Sequence, residues 1–375
     1  MSKPTTTRSD LRRLIGMEMG MPYYRKYGTA PLSFTSGTTA IPVCSALSET
    51  NDWWKNHWMV DTSTGANYGQ VREITGFNAG TKGLTLGSAL LDDPSGQEFE
   101  ITTVFSPHEI HQAINFAIES AFPAFFDTVI DQTLVVVQDK MEYDLTGLDS
   151  KIWFPISFWV EQTTNKLMGS PTTNVNGTQL IDTAADFSAI DGDYLISICH
   201  GKSAGLLRSV ADREVGDPVF LLRTTDDWGS DGLDPTSVYV IWRPTNSGID
   251  WYDIPALRFD QNEYPAIVYF PVDLDSFAGL RIRIQYVTMP AALTTDASTT
   301  IVPPEYILHK ACAMLCGSRA NDNRSDRRMY TDMETRHLQL ADLYMQQHKW
   351  RVPASHIWLD RDPARPSSTS GYNPF

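Results

Sequence analysis

Short apolar runs, separated by glycine, asparagine and aspartate, recur in residues 31–104, 132–162, 178–224 and 237–289. The run Leu280–Val287 alternates between apolar and polar side chains, which is typical of a strand with one buried and one solvated face. Gly65 and Gly69 flank a turn where glycine supplies the positive φ of a tight hairpin. The pattern predicts a β-rich body of short strands, arranged as small barrels or sandwiches.

Helical periodicity is found in three segments. The first, residues 8–20, carries its apolar side chains near one face. The second, residues 106–122, begins with the capping sequence Ser106-Pro107-His108-Glu109 and carries an apolar stripe. The third, residues 303–349, contains Gly317 and a polar stretch, which favour a helical hairpin over one long helix.

A weak internal repeat lies inside the β-rich body. The segment Trp58–Leu86 aligns without a gap onto Tyr194–Leu222, 136 positions later. The shared positions are Gly65, Gly69 and Arg72 in the first copy and Gly201, Gly205 and Arg208 in the second. The repeat predicts two similar hairpins, as in two related copies of one barrel. Two unrelated hairpins that share turn glycines are the alternative.

These patterns predict an α+β chain, dominated by β-structure, with a central helix and a C-terminal helical hairpin. The predicted division is an N-terminal helical arm (1–27), a first β-module (28–105), a helix plus strands (106–165), a second β-module with further strands (166–292), a C-terminal helical docking region (303–350) and an extended tail (351–375). The tail is rich in proline and serine, which favours an extended conformation.

The 375 residues are 42% hydrophobic and 20% charged, which suits a folded protein with two or three cores. No apolar run approaches the roughly 20 residues of a membrane helix. The first residues lack the apolar centre of a secretory signal. We therefore expect a protein that is made in a cytoplasm and has no membrane partner.

The net charge of −15 is unevenly distributed. Residues 28–316 carry fifteen basic and thirty-six acidic groups, whereas residues 1–27 carry six and two, and residues 317–351 carry seven and five. An acidic body repels phosphate, which argues against tight DNA binding by that surface. Acidity that serves only solubility is an equally good interpretation.

Two motifs invite a catalytic interpretation. Gly201-Lys202-Ser203-Ala204-Gly205 matches the GxSxG sequence of hydrolases, but a strand rather than a helix is predicted to follow it. His108 and His111 have the spacing of two metal ligands on a helix, but no third ligand is indicated. We predict that Ser203 belongs to a hairpin turn, and we predict no catalytic, cofactor or metal site.

Other residue types with chemical potential have simpler interpretations. The paired carboxylates Asp92–Asp93, Asp191–Asp193 and Asp226–Asp227 lie in turn-like sequences, where aspartate caps local backbone donors. The four cysteines form no CxxC pair, which favours buried free thiols. Tryptophans can stack on sugars, but most here lie in apolar strand runs, which favours a core or interface. The candidates are Trp53, Trp54, Trp58, Trp153, Trp159, Trp228, Trp242 and Trp251.

The order of the elements resembles the neck proteins of tailed bacteriophages, of the head-to-tail adaptor or connector kind. The resemblance covers about residues 10–350 and is carried by a series of weak motifs. In order these are GANYGQVREITGF, TLGSALL, EFEI, HEIHQAINFAIESAFP, DQTLVVVQDKMEYDL and LRIRIQYVTMPAALTTDASTTIVPPEYILHKACAMLC. The chain is larger than the minimal helical adaptors, so part of it could decorate the neck or anchor fibres.

The resemblance implies a structural virion protein without catalysis, cofactor or metal. It implies a homo-oligomeric ring of about twelve subunits that joins the capsid portal to the tail. The implied partners are the portal and other neck or tail proteins, with DNA passing through the channel without specific binding. The C-terminal helical region and tail would face the portal. The candidate portal or subunit contacts are Tyr306, Arg324, Arg327, Arg328, Leu340, Tyr344, Trp350 and Trp358.

Two other function classes stay open at this point. One is a tail-fibre or neck-decoration protein that binds carbohydrate through surface tryptophans, and the less favoured one is a glycan-cleaving enzyme. We also expect from the sequence that removing residues 305–375 abolishes assembly onto a portal and leaves the β-body folded.

Overall fold

The computed structural model describes residues 5–145, 148, 152–163, 165–174, 177–212, 221–229, 232–244, 251–254, 258–260, 267–270, 274–320 and 326–349. The chain forms two compact units. Among the described residues, the first unit joins residues 5–127 to residues 289–349, and the second contains those between 128 and 288.

The first unit combines helices from both ends of the chain with one sheet. Its elements, numbered in chain order, are β1 (Thr6–Thr7), α1 (Arg8–Glu18), α2 (Pro22–Tyr27), β2 (Leu32–Ser33), β3 (Ser36–Gly37), β4 (Pro42–Val43), β5 (His57–Asp61), β6 (Val71–Asn78), β7 (Gly83–Leu86), β8 (Glu98–Thr102), α3 (Pro107–Ala121), β22 (Thr299–Thr300), α4 (Pro304–Ala320) and α5 (Arg327–His348). Strand β1 pairs antiparallel with β22, which joins the beginning of α1 to the segment before α4.

Helix α3 begins where the sequence predicts. The Ser106 side chain accepts a hydrogen bond from the Glu109 backbone N–H, and the Glu109 carboxylate accepts one from the Ser106 N–H. This reciprocal cap satisfies two of the backbone donors that a helix leaves free at its first turn. The apolar stripe of α3, including Ile110, Ile114 and Ile118, is buried in the core of the first unit.

The core of the first unit is shared by the sheet and the helices. Phe99 and Ile101 of β8 belong to the same buried cluster as Ile307 and Cys312 of α4. Helix α4 packs against α3 and α5, and α1 packs against α4. The C-terminal helices therefore supply part of the core on which the sheet rests.

The second unit is built mainly of strands. They are β9 (Asp127–Val135), β10 (Glu142–Asp144), β11 (Ile152–Glu161), β12 (Lys166–Gly169), β13 (Gln179–Ile181), β14 (Leu195–His200), β15 (Leu207–Asp212), β16 (Leu221–Thr224), β17 (Val238–Trp242), β18 (Trp251–Asp253), β19 (Arg258–Asp260), β20 (Ile267–Tyr269) and β21 (Arg281–Thr288), with one 3-10 turn at Asp275–Phe277. They form the sheets β18-β11-β21-β9, β10-β20-β19 and β12-β17-β14-β15-β16-β13.

The larger sheets of the two units have the same strand order. In the first unit the order is β2-β8-β5-β6-β7-β4, with β3 added beyond β4, and in the second it is β12-β17-β14-β15-β16-β13. With β3 left out of the count, each sheet has six strands in the order first, last, third, fourth, fifth, second along the chain. The pairings that define this order are antiparallel in both sheets.

We call these two sheets module A (β2–β8) and module B (β12–β17). The predicted repeat falls on their central three strands, β5-β6-β7 and β14-β15-β16. The pairing is offset by one residue between the copies, because Met59 lies opposite Arg72 whereas Ile196 lies opposite Arg208. The likeness therefore extends over more strands than the sequence repeat does.

The predicted fold class is confirmed: the chain is α+β, dominated by curled sheets, with a C-terminal helical pair. Helix α2 was not predicted. Helix α1 ends at Glu18, and Pro22 occupies the first turn of α2, where its missing N–H costs nothing. The six predicted segments are finer than the two compact units and stay a prediction. The predicted tail, residues 351–375, lies outside the described residues.

Candidate functional site

Helix α1 carries a buried ion network that the sequence analysis did not single out. Arg12 is fully buried, and its guanidinium donates to Glu100 Oε2 at 3.1 Å and to Asp296 Oδ2 at 2.7 Å. Arg8 donates to the other oxygen of Asp296, and Arg13 pairs with Glu100. The network joins α1 to β8 and to the loop before β22.

The network sets the protonation states of its members. Burial opposes charge on Asp296, but Arg12 and Arg8 outweigh it and hold the pKa of this carboxyl below its usual value. His111 of α3 lies 3.0 Å from Arg12 through Nε2, and burial together with Arg12 lowers its pKa to about 3. Opposed charges are paired here and the imidazole is neutral at pH 7, so the arrangement stabilises the fold.

The GxSxG match does not form a nucleophile elbow. Ser203 lies in the turn between β14 and β15, with φ of +63°, and its hydroxyl donates to the carbonyls of Gly232 (2.7 Å) and Trp228 (3.3 Å). A nucleophilic serine would instead lie at a strand-to-helix turn and donate to the side chain of a general base. The geometry gives Ser203 a structural role in the turn.

Asn67 has the corresponding role in module A. It lies in the turn between β5 and β6, 1% exposed, and its side-chain amide donates to the carbonyl of Asp92 at 2.9 Å. Its side-chain oxygen accepts from the backbone N–H groups of Leu91 and Asp92. Asn67 aligns with Ser203 in the predicted repeat, and Asp92 and Trp228 lie at the same 136-residue offset, six residues beyond its end. In both modules, a polar turn residue thus holds the loop that leads to the last strand.

The repeated arginines hold the same two loops. Arg72 Nε donates to the carbonyl of Ala89 at 3.1 Å, and Arg208 Nε donates to the carbonyl of Asp227 at 2.9 Å. In each case Nη1 also bonds the carbonyl of the preceding residue, at 2.9 Å. The residues that made the repeat recognisable are therefore structural in both copies.

His108 and His111, whose spacing was considered for a metal site, do not converge on one point. His108 is exposed and bonds Gln112, whereas His111 faces Arg12. Among the described residues, the three-residue group with metal-ligand geometry is formed instead by Glu18, His309 and His337. The sequence pattern does not connect these three residues, because Glu18 lies far along the chain from His309 and His337.

Carboxylates and cysteines have the structural roles expected of them. The carboxylates of Asp93, Asp191 and Asp227 accept backbone N–H groups two residues ahead, as in local aspartate turns. All four cysteines, Cys44, Cys199, Cys312 and Cys316, are free and buried. Burial raises the pKa of the Cys316 thiol to about 11, which keeps it protonated and unreactive at neutral pH.

Most of the tryptophans are not free to stack on a sugar. Trp54, Trp228 and Trp242 are buried, and the rings of Trp159 and Trp251 are faced by the guanidinium of Arg283. Trp58 is partly buried, and the side chain of Trp153 lies outside the described residues. Trp53, 53% exposed, is the candidate that presents a large open ring.

The predicted interface residues fall into three groups. Tyr306 is buried in the core of the first unit, against Phe125 and with its hydroxyl 3.3 Å from Ser120, so it does not belong to the exposed surface. Arg327 and Arg328 are exposed, and Leu340 and Tyr344 are partly exposed. Arg324, Trp350 and Trp358 lie outside the described residues.

The exposed side of α5 is polar but not uniformly so. Besides Arg327 and Arg328 it presents Met329 and Leu343, each about half exposed. Met329, Arg336 and Leu343 are spaced seven residues apart, so they lie along one face of the helix. We call this the α5 face. Large apolar side chains on an otherwise polar helix face are suited to a contact with another protein.

The comparisons with known proteins add no family. No protein-family model matches the chain, and no curated protein matches it. In the described part of the chain, no helix is both long enough and apolar enough to cross a membrane.

Proposed function

We propose that the protein is a structural subunit of the neck of a tailed bacteriophage, assembled as a ring that joins the capsid portal to the tail. The sequence resemblance suggests this class. The observation that carries the proposal is the pair of modules with one strand order, combined with turn and arginine contacts that serve structure in both. A chain that consists mainly of repeated β-modules and carries an exposed helix for docking is suited to a subunit that is stacked between neighbouring proteins.

The charge distribution supports a position around a DNA channel. The acidic excess of residues 28–316 disfavours adhesion of the phosphate backbone to that part of the surface. Arg327 and Arg328 at the start of α5 offer an exposed basic pair for an acidic partner surface. In the proposal the α5 face meets the portal or a neighbouring subunit, and the acidic body lets DNA pass.

A carbohydrate-binding protein is the second candidate, favoured by the exposed ring of Trp53. Trp53 follows Asp52, which has φ of +60° in a turn on the surface. Quenching of tryptophan fluorescence by sugars, lost in Trp53→Ala, would favour this candidate. For an enzyme, the described geometry of Ser203 offers no support, because its hydroxyl is engaged by backbone carbonyls.

Deletion of residues 305–375 cannot test the proposal in the way the sequence suggested. Ile307, Cys312 and Cys316 of α4 are buried in the same cluster as strands of module A. Removing them would expose that core, and loss of assembly would then report unfolding. Substitutions of Arg327 and Arg328, which are exposed at the start of α5, separate docking from folding.

The test is a pull-down of the intact protein by portal rings encoded in the same phage genome. The double variant Arg327→Glu and Arg328→Glu is expected to lower portal binding at least about tenfold, because like charges then meet across the contact. The matched control, Arg25→Glu with Lys55→Glu, reverses two exposed charges elsewhere in the same unit. Equal binding by both variants would contradict the docking assignment. Failure of the wild-type protein to bind the portal would contradict the proposed neck function.

A further inference from the structure

Three helices bring one carboxylate and two imidazoles together in the first unit. Glu18 is the last residue of α1, His309 lies in α4, and His337 lies in α5. One ligand atom from each lies within 4.8 Å of the other two. These residues are far apart in sequence, so only the packing of α1 against the C-terminal helical pair assembles them.

The distance between the imidazoles fits a shared metal ion. The two Nδ1 atoms are 3.2 Å apart. Two nitrogen ligands at about 2.0–2.1 Å from a tetrahedral zinc ion are separated by roughly 3.3 Å. The rings lie 5.4 Å apart with 30° between their planes, so both edges can face one point. Without an ion, one Nδ1–H donates to the other Nδ1 at the same distance.

Histidine binds a metal ion through the lone pair of its neutral imidazole, which is the main form at pH 7 for a group whose ordinary pKa is about 6.5. The carboxylate of Glu18 supplies the negative charge that a divalent ion needs.

The site has a buried floor and an open side. His337 is 3% exposed, His309 is partly buried, and Glu18 is exposed. An ion can therefore enter from solvent beside Glu18, and water can complete its coordination. Imidazole nitrogen with one carboxylate suits zinc and its neighbours in the first transition row, whereas calcium and magnesium prefer oxygen ligands.

We propose that Glu18, His309 and His337 bind a divalent transition-metal ion of the zinc class, which fastens the N-terminal helix to the C-terminal helical pair. The ion joins Glu18 to two histidines that lie 291 and 319 positions further along the chain. Its function is to hold α1 in place on α4 and α5. In this respect the inference is independent of the proposed function.

The test uses the full chain, free of any histidine tag and stripped with a chelator. Calorimetric titration with zinc is expected to show one ion per chain. The melting temperature is expected to rise by roughly 5–10 °C at a zinc concentration about 100 times the dissociation constant. Cobalt in place of zinc is expected to give the visible absorption of a four-coordinate ion, and magnesium is expected to leave the melting temperature unchanged.

Variants locate the ion. His309→Gln and Glu18→Gln are expected to weaken zinc binding at least about tenfold, because each removes one of three ligands. Both positions have solvent access, so these variants are preferred to changes at buried His337, which could unfold the protein. His348→Gln, at an exposed histidine at the end of α5, is the matched control and is expected to bind like the wild type. Absence of zinc binding, or equal binding by His309→Gln, would overturn the proposal.

Discussion

Arg12 has no exposed surface, and its charge is matched by Glu100 and Asp296 from two other segments of the chain. A buried ion network is not a large net source of stability, because desolvation offsets the attraction between the charges. Removing one partner is costly nevertheless, since the others then remain buried without it. The network therefore fixes the position of α1 relative to β8 and the loop before β22.

Replacement of Arg12 by methionine is expected to lower the free energy of unfolding by about 3–5 kcal/mol, because Glu100 and Asp296 lose their shared partner. Urea denaturation at pH 7 measures the loss. Arg25→Met, at an exposed position on α2, is the control and should cost less than about 0.5 kcal/mol. A loss below about 1 kcal/mol for Arg12→Met would contradict the role of the network in holding these segments together.

His111 makes stability depend on pH. Its folded pKa of about 3 is below its unfolded value of 6.5, so the unfolded chain binds the proton more readily. The stabilisation is complete above pH 6.5 and is lost as the pH falls towards 3. Between pH 7 and pH 5 the loss from this residue is at most about 2 kcal/mol.

The prediction for His111 is checked by urea denaturation of the wild type and His111→Gln at pH 7 and pH 5. The variant should lose less stability on acidification, because glutamine does not titrate. His108→Gln, at an exposed histidine on the same helix, should behave like the wild type. Identical pH dependence of all three proteins would contradict the assignment of the slope to His111.

The sequence contained part of the signal for this network. Arg12 lies three residues before Ile15 and next to Leu11, so helical geometry places it on the buried face of α1. Its partners could not be found in the same way, because Glu100 and Asp296 are brought to it by tertiary packing alone. The same reason hid the group of Glu18, His309 and His337.

At the scale of elements, local signals predicted helices α1, α3, α4 and α5, missed α2, and gave no strand order. The capping sequence at Ser106 and the polar break after Gly317 act within a few residues, so they can be recognised in the sequence. Strands β2 and β4 have two residues each, and their places in module A depend on distant partners. The repeat revealed the central hairpins, and only the fold extended it to the whole modules.

The two turn residues give a prediction that compares the modules. Asn67→Ala is expected to cost about 2 kcal/mol, since it removes several hydrogen bonds to the loop at Leu91 and Asp92. Ser203→Ala removes two bonds to carbonyls and is expected to cost about 1 kcal/mol. Urea denaturation of each variant checks both values. A neutral effect of both substitutions would contradict the role assigned to the turns.

At the scale of the whole molecule, we propose that the protein's surface contacts neighbouring subunits and the portal. The exposed α5 face, the acidic excess of residues 28–316 and the structural role of Ser203 agree with this proposal. What separates a ring subunit from a carbohydrate binder or an enzyme is its state of assembly. Sequence patterns could suggest that state only through resemblance, because contacts between subunits leave no periodic signal in a single chain.

The most direct test of the central claim is the mass of the native assembly, measured by native mass spectrometry with and without portal rings. The account predicts a closed ring of about twelve copies on the portal, and weaker assembly for the Arg327→Glu and Arg328→Glu variant. A protein that stays monomeric at every concentration, with portal present or absent, would contradict it.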